Sequence, residues 1–176
     1  MAGPRPRWGW HELDPAWARR LVATASIRKG DLVLDIGAGN GALTAPLLAA
    51  GARVIAVELH PSRARHLVRA FGSQVTVVEQ DARDLRLPTR PFAVVASVPY
   101  AVTSPLLRRL TQRGSRLTSA HLIVQAQAAA RWASPSAPAA SRWSRTFQTS
   151  VGPVVPRRAF NPPPRVDSRV LVIERR

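Results

Sequence analysis

Leu32 to Thr44 reads LVLDIGAGNGALT, and the fold turns on how this stretch is read. Leu32, Val33 and Leu34 form a short apolar run of the kind a buried parallel strand requires. The run ends at Asp35, and glycine then recurs at Gly37, Gly39 and Gly41 before the chain turns apolar again. Glycine there lets the backbone turn sharply and lets a ligand approach main-chain N–H groups with no Cβ in the way. Strand, glycine turn and helix in that order place a nucleotide-type crevice at the carboxyl end of a sheet. The spacing is G-x-G-x-G, with an acid two residues ahead of the first glycine, and it differs from the G-x-G-x-x-G of dinucleotide folds. A glycine-rich strand-helix turn with no ligand is the plainer alternative.

Upstream of this stretch, Asp14-Pro15 has the form of an N-cap followed by proline in the first helical turn. Trp17, Leu21, Val22 and Ala25 recur at helical spacing, which predicts a helix ending near Ser26. Residues 1–10 are proline- and arginine-rich without periodicity and read as a basic arm, leaving 11–176 as a single domain. Downstream the pattern alternates. It predicts a helix over 42–50 despite Pro46, a strand over Arg53 to Glu58, a helix over Pro61 to Phe71, and strands over Val75 to Glu79 and Phe92 to Ser97. A helix over 104–113 follows, with Ser104 capping and Pro105 starting it, then a strand over Leu117 to Gln125. Thr149 to Val155 and Val170 to Ile173 are expected to close one sheet edge as an antiparallel pair. The alternation predicts an α/β fold: a mostly parallel, doubly wound, seven-stranded sheet with helices on both faces. Ala133 to Ser141, ASPSAPAAS, reads as a mobile low-complexity loop.

Composition bounds the function. At 176 residues and 45% hydrophobic, the chain builds a real core and is not disordered. It holds no apolar run long enough to span a bilayer and no cysteine, which excludes disulfides and thiolate metal sites. His60, His66 and His121 have no metal-ligand spacing. Lys and Arg together number 26 against 10 for Asp and Glu, a net charge of +16, and Lys29 is the only lysine. An arginine excess of this size favours a polyanionic partner, because the planar guanidinium suits phosphate. A genome rich in G and C accounts for arginine over lysine; it does not account for so few acids.

Further positions line up with the glycine turn. Glu58, at the end of the second strand of the alternation, can accept both hydroxyls of a ribose. A solvated strand-end acid is the alternative. Asp81, after the third such strand, is placed to accept from an exocyclic adenine amine, with Asp84 as its substitute. Ser97-Val98-Pro99-Tyr100 closes the fourth. A proline-aromatic pair there offers a stacking face beside outward-pointing carbonyls, as an enzyme holding a flipped-out base requires.

These residues resemble a known family. The G-x-G-x-G turn resembles the first motif of S-adenosylmethionine-dependent methyltransferases. The chain as a whole resembles the ribosomal RNA adenine-N6 methyltransferases, specifically the macrolide-lincosamide-streptogramin resistance branch, the erythromycin resistance methylases. Their fourth motif is Asn-(Ile/Leu/Val)-Pro-(Tyr/Phe). VQAQAAARW from Val124 resembles the family's Gln-x-Glu-x-Ala region, and FNPPPRVDS from Phe160 its late Phe-x-Pro-x-Pro-x-Val-Asp-Ser motif. The resemblance runs from about Trp8 to Ile173. It departs at Ser97, where the family has Asn, at Gln127, where Glu is usual, and at Trp8 to Leu13, which replaces Gln-Asn-Phe. Relatives continue into a small helical domain, so a short form without it is expected.

The resemblance implies a Rossmann-like class I fold and S-adenosylmethionine as cofactor. It implies methylation of adenine N6 in ribosomal RNA, 23S favoured, conferring antibiotic resistance. The protein is expected to be a cytoplasmic monomer needing no metal and no membrane. Cofactor binding is carried over to His11, Leu13, Asp35, Gly37, Ala38, Gly39, Glu58, Leu59, Asp81, Ala82 and Ser97. Catalysis is carried over to Ser97, Val98, Pro99 and Tyr100, with Phe160 either covering the base or anchoring the core. Arg108, Arg109, Arg113 and Arg116 read either as a solvated helix end or, with Arg131, Arg142 and Arg145, as an RNA path on which Trp143 stacks on an unpaired base. A small-subunit dimethyladenosine transferase, a methyltransferase of the same fold with a non-RNA substrate, and a non-catalytic RNA-binding module are the alternatives.

Overall fold

The alternation of the sequence becomes one seven-stranded sheet and a two-stranded ribbon. The structure is a computed structural model and describes residues 10–176. The expected arm over 1–10 lies outside the described residues except for Trp10, which folds onto the domain. The strands are β1 (Glu12–Leu13), β2 (Leu32–Ile36), β3 (Arg53–Glu58), β4 (Val75–Glu79), β5 (Phe92–Ser97), β6 (Leu117–Gln125), β7 (Phe147–Val155), β8 (Phe160–Asn161) and β9 (Ser168–Arg175). The helices are α1 (Pro15–Thr24), α2 (Thr44–Ala49), α3 (Pro61–Phe71), α4 (Thr103–Leu110), α5 (Ala126–Trp132) and α6 (Ala140–Trp143).

The large sheet has the order β4-β3-β2-β5-β6-β9-β7. The five strands β2 to β6 are parallel, and β9 runs antiparallel between β6 and β7. All five residues of β2 are buried, because a central parallel strand is covered on both faces. Its side chains alternate between two cores. Leu32, Leu34 and Ile36 pack with Leu106, Leu107 and Leu110 of α4, whereas Val33 packs with Leu21 of α1, Leu47 of α2 and Leu67 of α3. Helices therefore cover both faces. Among the described residues no helix is long and apolar enough to cross a membrane.

Local signals set several boundaries. The Asp14 carboxylate accepts from the amides of Ala16 and Trp17 at 2.8 and 3.2 Å, capping α1 as its sequence requires. Gly72, at φ 55°, closes α3. Ser104 does not cap α4. The residues from Tyr100 to Val102 form a tight turn that runs straight into the helix, so it begins at Thr103 with Val102 at the cap and no side-chain acceptor.

The expected mobile loop is also corrected. The Trp143 indole stacks on Trp132 at a centroid distance of 6.1 Å and donates its Nε1–H to the Pro138 carbonyl at 2.9 Å. Ala137 and Trp143 are buried, so this segment is pinned to the core through α6. The closing strands pair antiparallel as expected, but the last one lies inside the sheet and β7 forms its edge.

The carboxyl ends of β2, β3 and β5 meet at one end of the sheet. The amides of Gly37 and Ala38 donate to the Val57 carbonyl at 2.8 and 3.1 Å, which ties the glycine turn to the end of β3. The β1–β8 ribbon, with Glu12 opposite Asn161 and Leu13 opposite Phe160, brings the amino-terminal segment over the same end.

Candidate functional site

A cleft opens where those strand ends and the ribbon converge. It is lined by Trp10 to Leu13, Asp35, Gly37 to Asn40, Ala42, Leu43, Ser97 to Tyr100, Ile123, Phe160 and Ser168. Gly37 and Gly39 have φ of 76° and 58°, a region L side chains seldom adopt. A Cβ on Gly37 would meet Pro99 Cδ at 3.2 Å, and one on Gly39 would meet Trp10 Nε1 at 2.9 Å. The glycines thus let the β5 motif and the amino-terminal segment close on the turn.

Asp35 forms the floor and is 1% exposed. Its Oδ2 accepts from the Thr44 hydroxyl at 2.7 Å, while its Oδ1 has no partner. Burial pushes its carboxyl up to about 7, opposed by the Thr44 hydrogen bond and reinforced by the nearby Glu58 charge. A buried acceptor with a free lone pair, facing a cleft, is suited to a cationic or N–H donor.

Glu58 is also buried. Its Oε2 accepts from the Gly39 amide and its Oε1 from the His60 amide, each at 2.8 Å. The Arg63 guanidinium lies 3.3 Å from Oε1 and sits over the Trp10 ring, 5.1 Å from its centroid. A carboxylate offers about four acceptor sites. The two amides take two and the Arg63 guanidinium stands at Oε1, so the room left for ribose hydroxyls lies mainly on Oε2. In this conformation Trp10 and Arg63 stand beside that carboxylate.

The β5 motif is held from several sides. The Val98 amide donates to the Ile123 carbonyl at 3.0 Å, and the Val102 amide to the Pro99 carbonyl at 3.0 Å. The Tyr100 and Ser168 hydroxyls are hydrogen-bonded at 2.8 Å, and Ser168, at the start of β9, is fully buried. Ser97 is partly exposed at the cleft. His11 lies 6.4 Å from the Tyr100 ring and 6.5 Å from the Phe160 ring, and its Nδ1–H donates to the Pro162 carbonyl at 2.6 Å. Phe160 lines the cleft and also belongs to the core under α1.

The structure therefore gathers His11, Leu13, Asp35, Gly37, Ala38, Gly39, Ser97, Val98, Pro99, Tyr100 and Phe160 around one cleft, with Glu58 bonded to Gly39 at its edge. It does not gather Leu59, Asp81 or Ala82 there. Leu59 is 43% exposed. Asp81 turns back on its own loop, accepting from the Arg83 amide at 2.8 Å and pairing with the Arg83 guanidinium at 2.6 Å, which holds its carboxyl below the usual range. Trp10, Thr44 and Ser168 are site residues that sequence reasoning missed. Thr44 and Ser168 stand inside quoted motifs, yet only the fold shows which side chain each one bonds.

The arginines expected on the RNA path lie outside the cleft. α4 leads from the carboxyl end of β5 towards the amino end of β6, so Arg108 and Arg109 sit near the far end of the sheet. α6 leads into the start of β7, where Phe147 pairs with Arg175 near the end of β9, so Arg142 and Arg145 share that far end. Arg131, near the end of α5, is exposed and outside the cleft. Trp143 is 5% exposed, and its stacking partner is Trp132 rather than a base.

Sheet order, glycine turn and β5 motif together define a Rossmann-like, class I methyltransferase fold. Residues 10–176 match the family described as ribosomal RNA adenine dimethylase, and the chain belongs to that family. It is 38% identical over 186 residues to the ribosomal RNA small subunit methyltransferase A of Anaeromyxobacter dehalogenans, covering 93% of this chain and 65% of that one. It is likewise 38% identical over 178 residues to the mycinamicin-resistance protein MyrB of Micromonospora griseorubida, covering 96% of this chain and 56% of the relative. The chain thus spans less than two thirds of these relatives. The crystal structure of the 23S rRNA methyltransferase ErmE superposes with a TM-score of 0.80 at 28% identity, over 93% of this chain and 68% of that one.

Proposed function

We propose that this protein transfers methyl groups from S-adenosylmethionine to the N6 amine of adenine in ribosomal RNA, that the large-subunit RNA is the substrate, and that resistance to ribosome-directed macrolides follows. The observation that carries the reading is the packing of Pro99 against Gly37, which puts the Ser97–Tyr100 acceptors and aromatic face beside the glycine turn and Asp35.

The residues present fit the cofactor. The unpartnered Asp35 Oδ1 suits the ammonium of its amino-acid end, and Glu58 keeps lone pairs for its ribose. When bound, S-adenosylmethionine supplies an electrophilic sulfonium methyl.

The protein's own groups prepare the nucleophile. An adenine N6 amine is unreactive because its lone pair is delocalised into the ring. The Val98 carbonyl and the Ser97 hydroxyl accept its two N–H bonds, favouring a pyramidal nitrogen whose lone pair can be aimed. Tyr100 stacks on the base, held in place by Ser168, and Phe160 bounds the cleft. Orientation and electrostatics supply the rate, and the departing proton leaves to water. Ser97 is shorter than the family's Asn, so its grip on the amine is looser.

The large-subunit reading is supported by the 23S rRNA methyltransferase ErmE, the resistance reading by the mycinamicin-resistance protein MyrB, and the small-subunit alternative by the methyltransferase A relatives. Incubating purified large- and small-subunit RNA separately with the protein and labelled cofactor, then mapping stops by primer extension, separates them. Stops in large-subunit RNA alone are expected.

A further inference from the structure

Charge is unevenly spread along this chain. Between Asp84 and Asp167 there is no acidic residue, while twelve arginines fall in the same interval. That interval carries β5 to β7 and α4 to α6, so one half of the sheet has almost no carboxylate to neutralise its guanidinium groups. Part of the excess gathers at the far end of the sheet from the cleft. There a groove of about 800 Å³ opens between the end of α4 and the segment leading into α6. Arg108, Gln112 and Arg113, at and just past the end of α4, line it together with Ser141, Arg142 and Trp143 of α6.

Arg108, Arg113 and Arg142 are exposed. The ion pairs among the described residues are Arg63–Glu58, Arg83–Asp81 and Arg157–Asp167, so none of the three groove arginines is spent on a carboxylate. Three unpaired, exposed guanidinium groups around one groove make a local positive potential that attracts a polyanion, which replaces many small counterions at once. The groove offers forks for phosphate and neutral hydrogen-bonding side chains. It offers no aromatic face, because Trp143 is stacked on Trp132. That inventory suits a sugar-phosphate backbone rather than unstacked bases.

We infer that this groove is a docking site for the phosphodiester backbone of RNA, separate from the cleft that takes the target adenine. The inference rests on the RNA reading of the cleft. The six residues of β5 span roughly 17 Å between the two ends, so a structured RNA reaches both sites and a short oligonucleotide at the cleft does not. The groove thus positions a folded RNA without reading its sequence.

The test uses the triple variant Arg108→Gln, Arg113→Gln, Arg142→Gln and its lysine counterpart. The probes are an in vitro transcript of large-subunit RNA and a short single-stranded adenine-containing oligonucleotide, titrated by fluorescence anisotropy over a salt series. The glutamine variant should bind the transcript about tenfold or more weakly and flatten the salt slope by about two to three, as expected for about 0.9 per lost phosphate contact. The lysine variant should keep the slope. Affinity for the short oligonucleotide and for cofactor should be unchanged, and the thermal midpoint confirms folding. Parallel slopes with equal transcript affinities overturn the groove while leaving the reading of the cleft intact. Equal losses for transcript and oligonucleotide also overturn it, since the arginines would then act on the cleft. A wild-type protein that binds cofactor but neither RNA overturns the RNA reading and the groove with it.

Discussion

The two ends of one sheet solve opposite electrostatic problems. At the carboxyl end, charge is buried and mostly answered: Asp35 by Thr44, and Glu58 by the amides of Gly39 and His60 and by Arg63. At the far end, charge is exposed and unanswered, with Arg108, Arg113 and Arg142 lining one groove. Buried groups positioned by the backbone suit chemistry, because they cannot reorganise when a reacting atom arrives. Exposed arginines suit a large, mobile polyanion whose sequence need not be read. On the proposed function, binding and reaction are divided between these regions, so substitutions at one end should leave the other's readout alone.

Tyr100→Ala should break the reactive end most severely. Stacking on an aromatic contributes about 1–3 kcal/mol, and orientation of the amine is lost as well. A drop of about a hundredfold or more in kcat/KM is expected in a methylation assay, with calorimetric cofactor affinity within about twofold of wild type. Full activity would remove Tyr100 from the site.

Asp35→Asn addresses the buried carboxylate that has an unpartnered oxygen. Its folded value of about 7 lies above the ordinary 3.8. From about pH 4 to 7 the unfolded chain has released this proton and the folded chain has not. Stability conferred by the protonated form is therefore lost as pH rises through that window, by at most roughly 4 kcal/mol. Thermal unfolding across the window should show a shallower decline for the variant, alongside weaker cofactor binding. Identical pH profiles would show that Asp35 is ionised in the folded protein throughout.

Ser168→Ala removes the hydroxyl that tethers Tyr100. One hydrogen bond is worth about 1 kcal/mol, so kcat should fall about fivefold with RNA KM little changed. Tyr100→Phe removes the same bond, so the double variant should be no worse than either single one. Additive losses would mean that the two hydroxyls act separately.

The mildest change is at Ser97. Ser97→Ala should slow methylation a few-fold, and Ser97→Asn should retain activity, both read as single-turnover rates. An alanine variant as fast as wild type would leave the Val98 carbonyl as the sole acceptor.

Much of the fold was legible because its strands are apolar runs bounded by turn residues. Arg53–Glu58, Val75–Glu79, Phe92–Ser97 and Leu117–Gln125 have the bounds their sequence predicts. β1 and β8 were not legible, since two residues have no periodicity and their pairing depends on the rest of the fold. The cleft could be read where motif residues end strands, as at Asp35, Glu58 and Ser97. It could not be read where a partner comes from a distant strand, as Ser168 does for Tyr100. The arginines were legible as charge but not as place. Which end of the sheet receives Arg108 and Arg142 depends on the course of α4 and α6, and the burial of Trp143 depends on a stack with Trp132.

The central claim is that this cleft methylates adenine N6 in ribosomal RNA. Its most direct test is nucleoside mass spectrometry of ribosomal RNA after incubation with purified protein and isotope-labelled S-adenosylmethionine. The account predicts labelled N6-methylated adenosine from large-subunit RNA with the wild-type protein and none with Tyr100→Ala. Label on another nucleoside, or no transfer by a protein shown to bind the cofactor, would contradict it.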